Sequence, residues 1–84
     1  MKDKKILLVD DEVDILNLLE AVLKKEGFTN LHTATSGYEA IQVCKNVFPD
    51  LIVLDIMLPD IDGFEVCRRI REFSVVHNFF VRQR

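Results

Sequence analysis

Two short apolar runs, each followed directly by aspartate, constrain the fold of this chain more than any other feature. The run "ILLV" at Ile6–Val9 precedes Asp10 and Asp11, and the run "LIVL" at Leu51–Leu54 precedes Asp55. A short, uninterrupted apolar run is typical of a strand that is covered on both faces, as in a parallel sheet. Carboxylates gathered at strand ends are costly unless a cation or hydrogen-bond donors compensate them. The pattern therefore indicates a site as well as a sheet.

Helical patterns separate these runs. Apolar residues recur at helical spacing within Val13–Lys25, and Gly27 ends that helix. The segment "SGYE" at Ser36–Glu39 has the spacing of a capping box ahead of a second helix, which Pro49 closes. A third apolar stripe follows at helical spacing, formed by Phe64, Val66, Cys67 and Ile70.

Strands and helices alternate along the chain. The predicted strands are Ile6–Val9, Leu31–Ala34 and Leu51–Leu54. Because the order is β-α-β-α-β-α, we predict an α/β fold with a parallel sheet, right-handed crossovers and helices on both faces, which is a three-layer α-β-α arrangement.

Length and charge limit the possible functions. With 84 residues the chain is one small domain, whose core must be well filled or shared with a partner. A net charge of -3 gives no general reason to bind nucleic acid or an anionic membrane. The apolar runs are too short to span a bilayer and the first residues lack a cleavage site, so we expect a cytoplasmic location. Cys44 and Cys67 are expected to be free, buried thiols, although they could pair in an oxidising compartment.

The three aspartates at the strand ends form the candidate site. If the first and third strands are neighbours, Asp10, Asp11 and Asp55 converge at the carboxyl edge of the sheet, where ligands bind in such folds. Carboxylate oxygens on a small rim that leaves room for water suit Mg²⁺. The alternative is that Asp10 or Asp11 merely caps the following helix.

The motifs "ILLVDDE", "SGYEAI" and "PDLIVLDIMLPDIDGFEVCRRIR" resemble, with their spacing, the receiver domain of two-component response regulators. The resemblance covers Lys4 to Glu72 and implies a flavodoxin-like sheet with strand order 2-1-3-4-5. It implies that Asp55 is the phosphoacceptor. It also implies that Asp10, Asp11, Asp55 and the backbone carbonyl of Met57 hold Mg²⁺. A sensor histidine kinase would be the partner, and the module would be a signalling phosphoprotein rather than an enzyme, catalysing at most its own phosphorylation.

The C-terminal part departs from the family pattern. By this resemblance, a complete receiver domain would have five β-α units, with a Ser or Thr after the fourth strand and a Lys after the fifth. No lysine follows Lys45, and if Phe79–Val81 is the fourth strand, Arg82 falls near the hydroxyl position. We therefore expect a truncated receiver domain at residues 1–74 and a divergent tail at 75–84, which is a possible fourth strand or an exchanged segment. The ending is interpreted either as a natural short variant or as a frame-shifted or shortened end.

Two functions follow from this interpretation. The chain is either a receiver that accepts phosphate on Asp55, or a signalling-incompetent fragment that acts as an oligomerising or decoy module. An incomplete sheet would leave Leu51–Ile56 as a bare edge, so we predict a homodimer or higher oligomer through this edge and the tail Val75–Arg84. The competing possibility is that the tail folds back on its own chain as the fourth strand and leaves a weak monomer.

Overall fold

The predicted alternation of strands and helices is present in the structure. The structure, a computed structural model, describes residues 3–75 and 78–82. The strands are β1 (Ile6–Val9), β2 (Leu31–Ala34), β3 (Leu51–Asp55) and β4 (Asn78–Arg82). The helices are α1 (Val13–Lys25), α2 (Gly37–Val47) and α3 (Gly63–Arg71). Of the predicted tail, Val76, His77, Gln83 and Arg84 lie outside the described residues.

All described strands form one parallel sheet in the order β2-β1-β3-β4. The register places Ile6 of β1 opposite Leu31 of β2 and Leu51 of β3. At the far end of the sheet, Asp55 of β3 lies opposite Arg82 of β4. The predicted fold class, an incomplete flavodoxin-like α-β-α sheet with a possible fourth strand, is confirmed, and β4 is that strand.

Side chains of β1 alternate between two cores, one on each face of the sheet. Leu7 and Val9 belong to the larger core, beneath α2 and α3, with Ile52, Leu54, Ala40, Ile41, Cys44, Val66, Cys67 and Ile70. Ile6 and Leu8 belong to the smaller core, beneath α1, with Leu16. All four β1 residues are buried, as their continuous apolar run predicted. Full burial of one aliphatic side chain contributes about 1.5–3 kcal/mol, so β1 stabilises both layers.

Side-chain caps begin α2 and α3. The Ser36 hydroxyl accepts a hydrogen bond from the Glu39 amide at 3.1 Å, so the predicted N-cap is confirmed. The Glu39 carboxylate reaches back to the amide of Thr35 at 2.6 Å, one residue before the cap. Asp62 caps α3 by accepting from the Glu65 amide at 2.8 Å. These caps compensate amides that the first turn leaves without a helical partner.

The predicted bare edge at Leu51–Ile56 is wrong. β4 pairs with β3 along its whole length, and the Ile56 amide donates to the Arg82 carbonyl at 3.2 Å. Phe79 and Val81 pack against the larger core, so the tail contributes apolar area within its own chain. The competing possibility, a fourth strand formed by the tail, is what the structure has. Self-association of the chain stays a prediction, without this edge as its basis.

Both cysteines are free and buried, as predicted. Burial raises the pKa of the Cys44 thiol to about 12, with a smaller contribution from nearby Cys67, and burial also raises the pKa of Cys67. Because the thiolate is the reactive form and these raised pKa values keep both thiols protonated, both are unreactive at neutral pH. In the described part of the chain, every helix is too short or too polar to cross a membrane.

Candidate functional site

The three predicted aspartates meet at the carboxyl edge of the sheet. Asp10 and Asp11 follow β1, and Asp55 is the last residue of the neighbouring strand β3. One carboxylate oxygen from each residue lies within 4.8 Å of the others. Asp10 is 1% exposed and Asp55 is 0% exposed, whereas Asp11 faces solvent. The parallel pairing of β1 with β3 brings these residues together across 45 positions of sequence, because both strands end at the same edge.

Asp10 is held in place by backbone contacts on both sides. Its amide donates to the Ala34 carbonyl of β2 at 3.1 Å, which extends the β1–β2 ladder by one bond. Its Oδ1 accepts from the Glu12 amide at 2.9 Å, where the chain turns into α1. Glu12 is itself the N-cap residue of α1 and makes no side-chain cap. Asp10 therefore shapes the turn before the helix, and its carboxylate lies in the pocket rather than over the first helical turn.

Asp55 is oriented by the residue two positions after it. The Met57 amide donates to Asp55 Oδ1 at 3.0 Å, so the loop after β3 folds back over the strand end. The Met57 side chain is 63% exposed and takes no part in the core. This arrangement keeps the Met57 backbone beside the pocket, while the Asp55 carboxylate is fixed in one orientation.

The donor set fits a small, hard cation. Oxygen ligands of an octahedral Mg²⁺ lie about 2.1 Å from the ion, which places them about 3 Å apart when adjacent and about 4 Å apart when opposite. The 4.8 Å limit on the oxygens of Asp10, Asp11 and Asp55 is slightly larger, so small side-chain rotations would bring all three onto one ion. Exclusively oxygen donors favour Mg²⁺ over the softer transition metals.

An arginine also enters this pocket. Nη1 of Arg82, the last residue of β4, donates to Asp10 Oδ2 and forms an ion pair with it. The Arg82 side chain is 31% exposed, whereas its partner is 1% exposed. The sequence placed Arg82 near the position of the hydroxyl residue of the family, but it did not indicate this contact. The contact depends on the β3–β4 register and on the reach of a long side chain.

The loop between β3 and α3 carries Asp60, whose role the sequence did not indicate. Asp60, in the "MLPD" segment, accepts from the Gly37 amide through Oδ1 and from the Tyr38 amide through Oδ2, both at 2.8 Å. Burial raises the pKa of Asp60, but the hydrogen bonds from these two amides and from Ile61 together outweigh it, so the pKa lies below its ordinary value of 3.8. Asp60 thus ties the loop beside the site to the N-terminus of α2.

We expect Asp60→Ala to destabilise the protein by about 1–3 kcal/mol, because two amides at the start of α2 lose a charged acceptor. Since the folded pKa is lowered, the stabilisation by Asp60 is present above the unfolded value near 3.8 and is lost as pH falls through the folded value. Urea unfolding at neutral and at acidic pH tests this, and the variant should lose less stability on acidification than the natural chain. Asp14→Ala, an exposed acid in the first turn of α1, is the control, with an expected loss of about 0.5 kcal/mol. Equal unfolding midpoints for Asp60→Ala and the natural chain at neutral pH would contradict a stabilising contact between Asp60 and the start of α2.

Comparison with known proteins identifies the family. The family model for the response regulator receiver domain matches residues 6–81. The transcriptional regulatory protein YvrH of Bacillus subtilis is 46% identical over all 84 residues, which is 100% of this chain and 35% of the relative. The alkaline phosphatase synthesis transcriptional regulatory protein PhoP of the same organism is 49% identical over 70 residues, covering 83% of this chain and 29% of the relative. The chain therefore spans about a third of the length of these curated relatives.

Solved structures agree with this comparison. A response regulator receiver domain protein from Clostridium thermocellum superposes with a TM-score of 0.86 at 25% identity, covering 95% of this chain and 64% of that one. A chain of the CheX-CheY-BeF3-Mg+2 complex from Borrelia burgdorferi gives a TM-score of 0.81 at 34% identity, covering 95% of this chain and 60% of that one. The β2-β1-β3-β4 sheet, the aspartates at its carboxyl edge and these matches have one explanation: the chain belongs to the response regulator receiver domain family.

Proposed function

We propose that this chain is a phosphoacceptor module of a two-component relay, in which Asp55 takes a phosphoryl group from a sensor histidine kinase. The observation that carries the proposal is the convergence of Asp10, Asp11 and Asp55 within 4.8 Å at the carboxyl edge of the sheet. A lone aspartate at a strand end has many structural uses, but three neighbouring carboxylates create a charge that a cation must compensate.

Asp55 is the nucleophile in this proposal. One of its carboxylate oxygens attacks phosphorus, the bond between phosphorus and the imidazole nitrogen of the kinase phosphohistidine breaks, and the imidazole retains the bonding electron pair. The product is an acyl phosphate on Asp55. The Met57 amide, which donates to Asp55 Oδ1, holds the carboxylate so that its approach to phosphorus is directed.

Asp10, Asp11, Asp55 and the Met57 backbone carbonyl would hold Mg²⁺ beside the nucleophile. When bound, Mg²⁺ offsets negative charge on the transferring oxygens. Asp10 is anchored by the amide of Glu12, so it contributes its carboxylate from a fixed position. Asp55 is fully buried, so its carboxylate has to become accessible before a phosphoryl donor can reach it.

In this proposal the module is a signalling domain that receives a phosphoryl group and is not a classical enzyme. It would catalyse at most its own phosphorylation, in the cytoplasm, and would not contact nucleic acid directly, in keeping with its net charge of -3. The two Bacillus relatives are named as transcriptional regulators. Each of them is about three times as long as this chain.

A small-molecule phosphodonor tests the proposal without a kinase. The full chain is incubated with acetyl phosphate in excess Mg²⁺ or in excess EDTA, and its intact mass is measured. We expect the mass of one added phosphoryl group in Mg²⁺ and none in EDTA. An unmodified mass in Mg²⁺, with the protein shown to be folded by circular dichroism, would refute the proposal.

A further inference from the structure

Arg82 is fixed at the mouth of the aspartate pocket by its backbone. It is the last residue of β4, it lies opposite Asp55 in the parallel register, and its carbonyl accepts from the Ile56 amide at 3.2 Å. The backbone on both sides of the pocket is therefore tied together. The Arg82 side chain is long and 31% exposed, so it can change its position without breaking the sheet.

The Arg82 guanidinium binds the Asp10 carboxylate, which is one of the ligands that the proposed metal site needs. Nη1 of Arg82 donates to Oδ2 of Asp10, and Oδ1 of the same carboxylate already accepts from the Glu12 amide. Both oxygens of Asp10 are thus engaged in the described structure. An incoming cation must take one of them, and the Arg82 contact is the one that can be given up without unravelling the turn into α1.

The two cations compete for the same Asp10 carboxylate. Three carboxylates supply three negative charges, and Arg82 supplies one positive charge that partly balances them. A divalent ion at the same carboxylates would place two further positive charges within a few ångströms of the guanidinium, and like charges at this distance repel each other. The Arg82 side chain is 31% exposed, so it has an open path to solvent.

We propose that Arg82 is a built-in competitor of Mg²⁺, which holds Asp10 in the metal-free protein and must swing away before the ion binds. The inference rests on the proposed function, because it concerns the same carboxylates. It assigns to the end of β4 a role in setting the metal affinity, and therefore the Mg²⁺ concentration at which Asp55 becomes reactive.

Magnesium titration by isothermal calorimetry on the full chain tests the competition. We expect Arg82→Gln, which keeps a polar stem without the charge, to bind Mg²⁺ about tenfold more tightly than the natural chain. Arg82→Ala should show the same gain, so either variant serves if the other does not fold. Arg71→Ala is the matched control: it removes one positive charge from the end of α3, where Arg71 lies over the Phe79 ring at 4.8 Å, and its Mg²⁺ affinity should change by less than about twofold.

The possible outcomes separate this inference from the proposed function. Equal Mg²⁺ affinities for Arg82→Gln and the natural chain would overturn the competition and leave the metal site standing. Weaker binding by Arg82→Gln would also overturn it, because Arg82 would then support the ion. Absence of Mg²⁺ binding in the natural chain and in both folded Arg82 variants would overturn the metal site itself, and the competition with it. The melting midpoint in EDTA supplies a second readout, since removal of the Arg82 charge should lower the midpoint while removal of the Arg71 charge should change it less.

Discussion

Replacement of Asp55 by Asn will abolish phosphoryl uptake from acetyl phosphate, because the amide lacks the nucleophilic carboxylate oxygen. Asn keeps the shape of the side chain and an oxygen that accepts from the Met57 amide, so the loop after β3 is retained. The expected result is an intact mass without added phosphoryl under conditions that modify the natural chain. The loss is expected to be complete, because the reaction has no other acceptor atom on this side chain.

Asp14→Asn provides the control for this experiment. Asp14 lies in the first turn of α1 and is exposed, so the substitution removes one carboxylate without entering the pocket. We expect it to be phosphorylated to the same extent as the natural chain. Modification that persists in Asp55→Asn would mean that another residue is the nucleophile, and peptide mapping of the modified protein would identify it.

The second large effect concerns stability at the loop that carries the site. Gly63 begins α3, and a Cβ at this position would lie 2.9 Å from the Ile56 Cα, 2.9 Å from the Leu54 Cδ1 and 3.0 Å from the Asp55 carbonyl oxygen. Two of these atoms belong to the backbone of β3 and its exit, which cannot move independently of the sheet. Ala would gain about 1 kcal/mol of helix propensity, but the overpacking is larger. We therefore expect Gly63→Ala to lower the free energy of unfolding by about 2 kcal/mol.

Urea unfolding measures this difference. Phe64→Ala is the matched control, because Phe64 is the next residue of α3 and its side chain is 63% exposed. It should change the free energy of unfolding by about 0.5 kcal/mol or less. If Gly63→Ala were as stable as the natural chain, the result would contradict a close contact between the start of α3 and the end of β3.

Much of the fold follows from local sequence patterns. The continuous apolar run at Ile6–Val9 predicted a strand with two buried faces, and its alternate residues do belong to two cores. The capping-box spacing predicted Ser36 as an N-cap, and its hydroxyl accepts from Glu39. These features depend on residues within a few positions of one another, which is why periodicity and cap chemistry are sufficient to find them.

Features that depend on distant segments were harder to predict. The edge at Leu51–Ile56 was expected to be bare in an incomplete sheet, with a fourth strand from the tail as the competing possibility, and β4 covers it. Asp60 binds amides 22 and 23 positions earlier in the chain, and no local pattern in "MLPD" indicates that contact. The Arg82 contact with Asp10 spans 72 positions. Each of these depends on how segments distant in the sequence pack together, which local patterns in a single sequence do not indicate.

The candidate site lies between these two cases. Strand ends marked Asp10, Asp11 and Asp55 as a group, because parallel strands deliver their carboxyl ends to one edge, and the structure brings the three within 4.8 Å. Burial of Asp10 and Asp55 was not evident from the sequence, and neither was the cation that shares the pocket. The roles of Asp55 as phosphoacceptor and of the Met57 carbonyl as a metal ligand stay predictions.

The unfolding midpoint of the full chain, measured against Mg²⁺ concentration, tests most directly whether this pocket binds a divalent cation. A ligand that binds only the folded state stabilises it by mass action, and we expect a gain of about 1–3 kcal/mol at saturating Mg²⁺, with a smaller gain in Asp55→Asn. Sodium chloride at matched ionic strength controls for screening. A midpoint that does not move up to tens of millimolar Mg²⁺, in protein shown to be folded, would contradict the account.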